Sequence, residues 1–494
     1  MDSHTDQSAG RRTPRSGGPE RSEGCGVAAQ KSAPAGRQFG RLAAVFAHEL
    51  RRLFAGRAWW AMLFLLAPLA GYGFVEAVRL FGEASRTALQ FPEMARGMTP
   101  LDGILVPTLG AFYLGTTLLF PFVAIRALGQ DRESGAAKLA LQWPLSPSTL
   151  VAVKLAAVGT AWAVSLLVPL SALVSWKLAG GHLAFAETAN LFAGHALYAL
   201  AVAGIAFFAA ALAESAATAA IVTLAFTLGF WVLDFAAATG PEWLKTLGGI
   251  SPTQVLKSFE RGLFPAGQAV GLATLGLGLA ALSALILPPG LTTRQRWLRG
   301  VAGMLALLAL LVATSLVPRA ADLAEDRRNS FNPADEAALA RMDQGLVITL
   351  HLNPEDSRAR EFAGNVLAKL KRLVPGLEVR WAETGKAGVF GAAGDEGYGR
   401  IVYEYGEPRA RRSVESRSNS PREILPLLHE LAGVQVTPVD LPPYPGHPLV
   451  ADARSAEIWF YGLLPILILL AAWLLARTGR LPKHFRNLQQ GELR

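Results

Sequence analysis

The sequence predicts an α-helical polytopic membrane protein of about eight transmembrane helices, with a small α/β domain between the seventh and the eighth. Three observations predict it. Of 494 residues, 51% are hydrophobic and only 17% charged, whereas a soluble chain of this length carries nearer a quarter. The apolar residues are gathered into eight blocks, each near the roughly 20 residues a helix needs to cross a hydrocarbon core about 30 Å thick. The long stretch 319–457 is polar enough to fold in water and alternates strand and helix patterns.

Residues 1–38 are rich in Ser, Gly, Arg and Pro, a composition that cannot bury enough surface to fold alone. They are expected to form a disordered cytoplasmic arm. The arm has no apolar core of the kind a cleaved secretion signal needs, so the first block is expected to be retained as a span. Its Cys25 is the chain's one cysteine, which excludes an internal disulfide. Residues 39–57 place Leu42, Phe46, Leu50, Leu53 and Phe54 at helical spacing, with Arg41, Glu49, Arg51 and Arg52 mostly off that stripe. The pattern favours an amphipathic helix in the interface plane, basic residues toward anionic headgroups, over a plain N-terminal extension of the first span.

The spans are expected at about 58–75, 104–125, 155–176, 191–213, 216–236, 266–287, 300–318 and 458–476. Pro68 and Pro169 inside them are tolerated, because neighbouring helices resatisfy the freed backbone groups. Buried core helices of a large soluble protein are the alternative, which eight blocks near full span length disfavour. With the N-terminus in the cytoplasm, the short inner segments hold 16 Lys and Arg in 80 residues, and the short outer loops 7 in 71. The inverted protein would place the richer set outside, against the positive-inside rule. The formal charge of +9 is then largely a topology signal and not a nucleic-acid footprint. An even span count also places the basic tail 477–494 inside and residues 319–457 outside.

Segment 126–154, RALGQDRESGAAKLALQWPLSPSTLVAVK, falls between spans two and three. Arg126 closes span two, Asp131, Arg132 and Glu133 form a mixed-charge cluster, Ser134-Gly135 breaks the pattern, and a Pro-Leu-Ser-Pro stop precedes Lys154. A short helix across the membrane face, charged outward and apolar inward, would suit a partner that pushes on it. An ordinary charged hairpin fits the composition equally well.

The order of these residues resembles the loop between the second and third spans of ABC-2-type permeases: an acidic-basic pair, a glycine, a Pro-small-Ser stretch, then a lysine opening the next span. Asp131, Arg132, Glu133, Gly135, Pro144, Ser146 and Lys154 match, and Leu145 departs in not being small. The resemblance implies that this segment, with Arg126, couples to an ATPase subunit. A second likeness lies at 250–263, where Ser251, Pro252, Val255, Leu256, Phe259 and Gly262 follow the family's pattern before the sixth span. The resemblance covers about residues 39–287. It implies a six-span permease unit at 58–287, export driven by a separate ATPase dimer on the cytoplasmic face, a second permease copy or paralogue, and a bacterial inner membrane. It implies no cofactor bound directly, since ATP and magnesium would sit on the partner. Residues 288–318, a cytoplasmic loop and span seven, then 319–457 and span eight at 458–476 resemble the auxiliary subunit of gliding-motility-type ABC systems, fused to the permease. No site transfers to that part.

Residues 345–353, 376–383, 400–407 and 410–416 are expected strands, and 355–373 and 420–433 expected helices, in the order β-α-β-β-β-α. Asn353 to Asp356 would cap the first helix and Ser420 the second. Phe362, Val366, Leu367, Leu370 and Leu373 would share one helix face. The glycine-rich stretch 388–399 lacks the order of a phosphate-binding loop and is expected to be a hairpin connection. Arg409, Arg411, Arg412 and Arg417 could bind an anion, but protecting an exposed edge strand from mispairing is the favoured role.

Asn190, His195, Glu214 and Asp234 stand out as polar groups inside or at the edges of spans, functional candidates by default. Glu214 and Asp234 lie near span ends, where facing water explains them, and His195, the deepest, is a candidate for a substrate path. Gly385-Lys386 lacks the spacing of a nucleotide phosphate loop, and His48-Glu49 and His429-Glu430 lack the second histidine of a zinc protease. No nucleophile elbow occurs, no Cys/His cluster has zinc spacing, and the eight histidines are scattered, so no metal site is expected. An enzyme is therefore not expected. A membrane-anchored sensor or scaffold, its outer domain binding an envelope or protein partner, is the second reading. A neighbouring reading frame encoding an ATPase would favour transport over it.

Overall fold

The computed structural model describes residues 35–133, 135, 145–239, 242–249, 251–288, 290–317, 319–342, 344–353, 356–382, 397–406, 411–437, 439 and 442–478. Two units divide the chain. The short one is Met1–Ala43, whose described part opens the helix Ala35–Phe54, and the body, Ala44–Arg494, holds everything that follows. The expected arm therefore gives way to helix at Ala35, and Cys25 lies outside the described residues.

Among the described residues, eight helices are long and apolar enough to cross a membrane, the pattern of a multi-pass membrane protein. They are Arg57–Gln90, Leu101–Asp131, Pro147–Leu178, Phe185–Leu212, Ala216–Ala237, Ala266–Ile286, Thr293–Ser315 and Arg454–Arg477, spans one to eight. Several run beyond their expected limits. Span one is a continuous helix of 34 residues through Pro68, about 51 Å long, so much of the expected loop 76–103 is helical. Span three starts at Pro147, two turns before Lys154. It is interrupted at Leu166, three residues before Pro169, which lacks the N–H that would continue the ladder. The helix Ala35–Phe54 is separate from span one. The chain turns at Ala55-Gly56, and the Trp60 indole donates 2.6 Å to Phe54 O across the turn. Trp59 Nε1 donates 3.2 Å to Ala161 O on span three.

Span four is the centre of the helical body, packed against spans two, three, five and six. Its closest crossing is with span six. A Cβ on Gly204 would lie 2.2 Å from Gly276 O, and one on Gly276 would lie 2.5 Å from Leu200 O. Only paired glycines permit such an approach, and in lipid close backbone packing is a main source of helix association. Span seven leans on span six, where Leu307 fills the notch at Gly278 and Leu282 the notch at Gly303. Span eight leans on span one instead, with Phe460 over Gly71 and the Trp459 indole donating 3.0 Å to Ser171 Oγ. Leu307 is the one buried residue of span seven. The remaining exposed Leu, Val and Trp side chains of that helix suit a lipid-facing surface.

Two short strands were not foreseen: β1 (Leu263–Pro265) pairs antiparallel with β2 (Ala320–Asp322). They tie the connection before span six to the chain that leaves span seven. Beyond them Arg328 pairs with Asp326 at 3.0 Å and with Asp102, and donates 2.9 Å to Thr99 Oγ1.

The α/β domain holds a four-stranded sheet of β3 (Leu346–Leu350), β4 (Glu378–Trp381), β5 (Ile401–Tyr405) and β6 (Arg412–Ser416), in the order β4-β3-β5-β6. Helix 357–373 and helix Pro421–Ala432 follow in the expected sequence. An unforeseen short helix, Pro333–Leu339, precedes them. Asp356 caps helix 357–373 by accepting 2.9 Å from Arg358 N. Ser420 holds the cap position of the last helix without a side-chain bond. Phe362, Val366 and Leu370 are fully buried against Ile348, Ile401 and Tyr403. Burial of each such side chain in water contributes about 1.5–3 kcal/mol.

One expectation is corrected. β4 runs parallel to β3 while β5 runs antiparallel on its other side, so β4 and β5 lie on opposite sides of β3 and do not pair as a hairpin. Most of the glycine-rich stretch lies outside the described residues. β5 and β6 do pair antiparallel, as expected. β6 is an edge strand, which suits Arg412 in the protective role. Arg411 Nη1 lies 3.5 Å from Glu404 Oε2 and Arg417 O accepts 2.6 Å from Arg358, while Arg409 is outside the described residues.

Candidate functional site: a buried charge cluster at spans two and three

Lys154 sits two turns inside span three and is 1% exposed. A buried ammonium needs all three of its protons satisfied, and three acceptors meet it. Glu49 Oε1 and Asp131 Oδ2 each lie 2.6 Å from Nζ, and Ala127 O lies 2.9 Å away. Arg52 joins from the amphipathic helix, its Nη1 2.5 Å from Asp131 Oδ1 and 3.8 Å from Glu49 Oε2. Among the described residues, two carboxylates thus balance one ammonium and one guanidinium. Glu49 and Asp131 are both largely buried.

Local sequence explains the geometry. Glu49 and Leu53 are one turn apart on the inward face of their helix, both buried. Ala127 and Asp131 are one turn apart at the end of span two, so the carbonyl and the carboxylate face the same partner. Ser146 caps span three by accepting 3.1 Å from Thr149 N, with Pro147 at the first helical position. That cap fixes the rotation of the helix that carries Lys154. The cluster locks three elements together: the helix before span one, the end of span two and the start of span three.

The residues singled out in 126–154 divide accordingly. Asp131 and Lys154 are brought together, but Asp131, expected on an outward charged surface, faces inward. Arg126 is exposed. Arg132 and Glu133 continue the helix, and their side chains lie outside the described residues. Gly135 has φ +74°, a left-handed conformation that favours glycine and ends the helix where the break was expected. Pro144 and the expected short helix are outside the described residues. Glu49 and Arg52 were missed as partners, because the helical stripe assigned them to the headgroup side.

The second likeness forms its own small cluster. Helix Pro252–Glu260 buries Val255, Leu256 and Phe259, and Gly262 has φ +77°. Asp234 is 5% exposed, so it does not face water. It accepts a hydrogen bond from Thr253 Oγ1, with Lys257 Nζ 3.8 Å away. Asn190 donates 3.2 Å to Phe259 O. His195 is buried, 6.4 Å from the Phe112 ring centroid, and its Nε2 makes no hydrogen bond among the described residues. Glu214 is exposed in the turn between spans four and five, in line with its expected place.

Comparison with protein-family models, curated proteins and solved structures finds no match for this chain.

Proposed function

We propose that the chain is the membrane-spanning subunit of an ATP-driven exporter. Its N- and C-termini and the Lys154 cluster would be cytoplasmic, and residues 319–457 on the opposite face. A separate ATPase dimer would bind and hydrolyse ATP, a second copy or related chain would complete the transport core, and this subunit would carry no catalytic residues itself. The observation that carries the reading is the lock of Glu49, Arg52, Asp131 and Lys154 at the two roots of the loop 134–146. A loop can transmit a push to the spans only if its roots are held rigidly to them. A conformational change then follows from differential binding of the ATPase states. The likeness of 126–154 and 250–263 to ABC-2 permeases, and the basic bias of the same-side loops, support it further.

The test exchanges the charges of Arg132 and Glu133 at the end of span two and keeps all four residues of the lock. Arg132→Glu with Glu133→Arg, made in the full chain and reconstituted with the ATPase that co-purifies from native membranes, is expected to lower transport-coupled ATP hydrolysis about tenfold or more, equivalent to about 1.4 kcal/mol of lost coupling. Insertion and elution should remain those of the wild type. Unchanged hydrolysis, or the absence of any ATPase among the co-purified proteins, would contradict the proposal.

A further inference from the structure

Three residues far apart in sequence converge at the opposite end of span three from Lys154. His182 Nε2 lies 2.9 and 3.0 Å from the two Glu325 oxygens, and His447 Nε2 lies 3.5 Å from Glu325 Oε2. The two imidazoles stack, with centroids 3.7 Å apart and 17° between planes. One donor atom from each of the three residues lies within 4.8 Å of the others.

The geometry points to a binding site for one divalent transition-metal ion of the zinc class, held by His182, Glu325 and His447. Ligands at about 2.0–2.1 Å from a tetrahedral zinc stand about 3.3 Å from one another, and the observed pairs at 2.9 and 3.5 Å bracket that spacing. Two imidazoles and one carboxylate are the donor set of open three-ligand zinc sites, with water or another ligand completing the fourth position. A metal ion lies in the plane of each imidazole that binds it, so uptake of the ion would turn one of the two stacked rings. His447 Nε2 is buried and makes no hydrogen bond among the described residues, so it is uncommitted beside the carboxylate.

Each ligand is seated by its own segment. Gly180 has φ +88°, and Trp176 Nε1 donates 3.0 Å to His182 O, fixing the turn that presents His182. Glu325 N donates 3.1 Å to the Glu187 carboxylate on span four. Gly446 has φ +70°, and a Cβ there would lie 1.6 Å from Ala95 O, so only glycine can precede His447. His447 N donates 2.9 Å to Met98 O. Tyr444 donates its hydroxyl to Glu325 Oε2 at 3.3 Å. Such outer partners orient metal-binding carboxylates.

The site has a mechanical consequence. Glu325 lies near the start of the segment carrying the α/β domain and His447 near its end. An ion there would clasp both stalks to the turn between spans three and four. The inference is independent of transport.

The test uses the full chain in detergent, freed of affinity tag and stripped with EDTA, then titrated with zinc chloride against a chromophoric chelator. Wild type is expected to take up one zinc equivalent more than His182→Ala/His447→Ala. Tyr444→Phe, which keeps all three ligands, should weaken that equivalent about tenfold. Zinc should raise the melting temperature of wild type and slow protease cleavage of the 442–453 segment, and do neither in the double variant. Magnesium should not substitute. Melting of the variants in EDTA at the wild-type temperature shows that they fold. Wild type that takes up no more zinc than the double variant, or that responds to neither readout, would overturn the site and leave a hydrogen-bonded His–Glu–His cluster only.

Discussion

Lys154→Met is expected to be among the most damaging single substitutions in the chain, costing about 3–5 kcal/mol of stability. Methionine fills a similar volume, so the loss is electrostatic. It leaves the Glu49 carboxylate, 2.6 Å from the missing ammonium, with only Arg52, at 3.8 Å, among the described residues, and removes the ammonium's bond to Ala127 O. Breaking a buried pair from one side strands a charge, whereas removing both partners does not. Glu49→Gln/Lys154→Met keeps Arg52 and Asp131 paired at 2.5 Å and is therefore expected to recover at least half of the loss. Thermal unfolding of the purified variants measures both. A Lys154→Met protein that melts with the wild type, or a double variant worse than the single, would show that the four charges are not a lock. The lock also sets the reading of Asp131. Its replacement should disturb folding before it disturbs any partner, which is why the coupling test leaves it intact.

Gly204→Leu is expected to be comparably severe, for a steric reason. The added Cβ alone would sit 2.2 Å from Gly276 O, and the neighbour is backbone, which cannot rotate away. Spans four and six must separate, losing packing along their length. Overpacking in a close-packed interior costs about 1–3 kcal/mol, and the figure here should reach at least the top of that range. Gly159→Ala on span three is the control, because a Cβ there meets nothing within 4 Å. Exchanging a mid-helix glycine for alanine should be neutral or stabilising by up to about 1 kcal/mol. Equal melting temperatures for the two variants would mean that the glycine crossing does not hold the core.

Much of this architecture was legible in the sequence, because two periodicities carry it. Apolar runs of span length located all eight helices. Alternation and cap residues located the α/β elements within a few residues, the observed cap Asp356 falling in the expected stretch 353–356. Boundaries failed where a helix outlasts its apolar run. Span three was placed after Lys154, since a lysine looks like the end of a span. The structure keeps it inside, because two carboxylates from elsewhere in the chain neutralise it. No pattern local to residues 39–57 says that Glu49 faces the protein. A signal was present all the same: a lysine set within TLVAVKLAAVG implies an acidic partner once the helix is allowed to begin at the Ser146-Pro147 cap. The β1–β2 pairing, the placing of β4 and β5 on opposite sides of β3, and the meeting of His182, Glu325 and His447 join distant segments. Scattered histidines with no local metal spacing are what a site assembled from three loops looks like along the chain.

In the proposed threading the chain crosses the membrane eight times and leaves the Lys154 cluster and the α/β domain on opposite faces. Single cysteines at two exposed positions, Ser148→Cys beside the cluster and Arg422→Cys on the domain, introduced after Cys25→Ser, decide it with a membrane-impermeant maleimide. Arg422→Cys is expected to label in intact spheroplasts, and Ser148→Cys only after the membrane is opened. Labelling of both from the same side would contradict the threading and the function built on it.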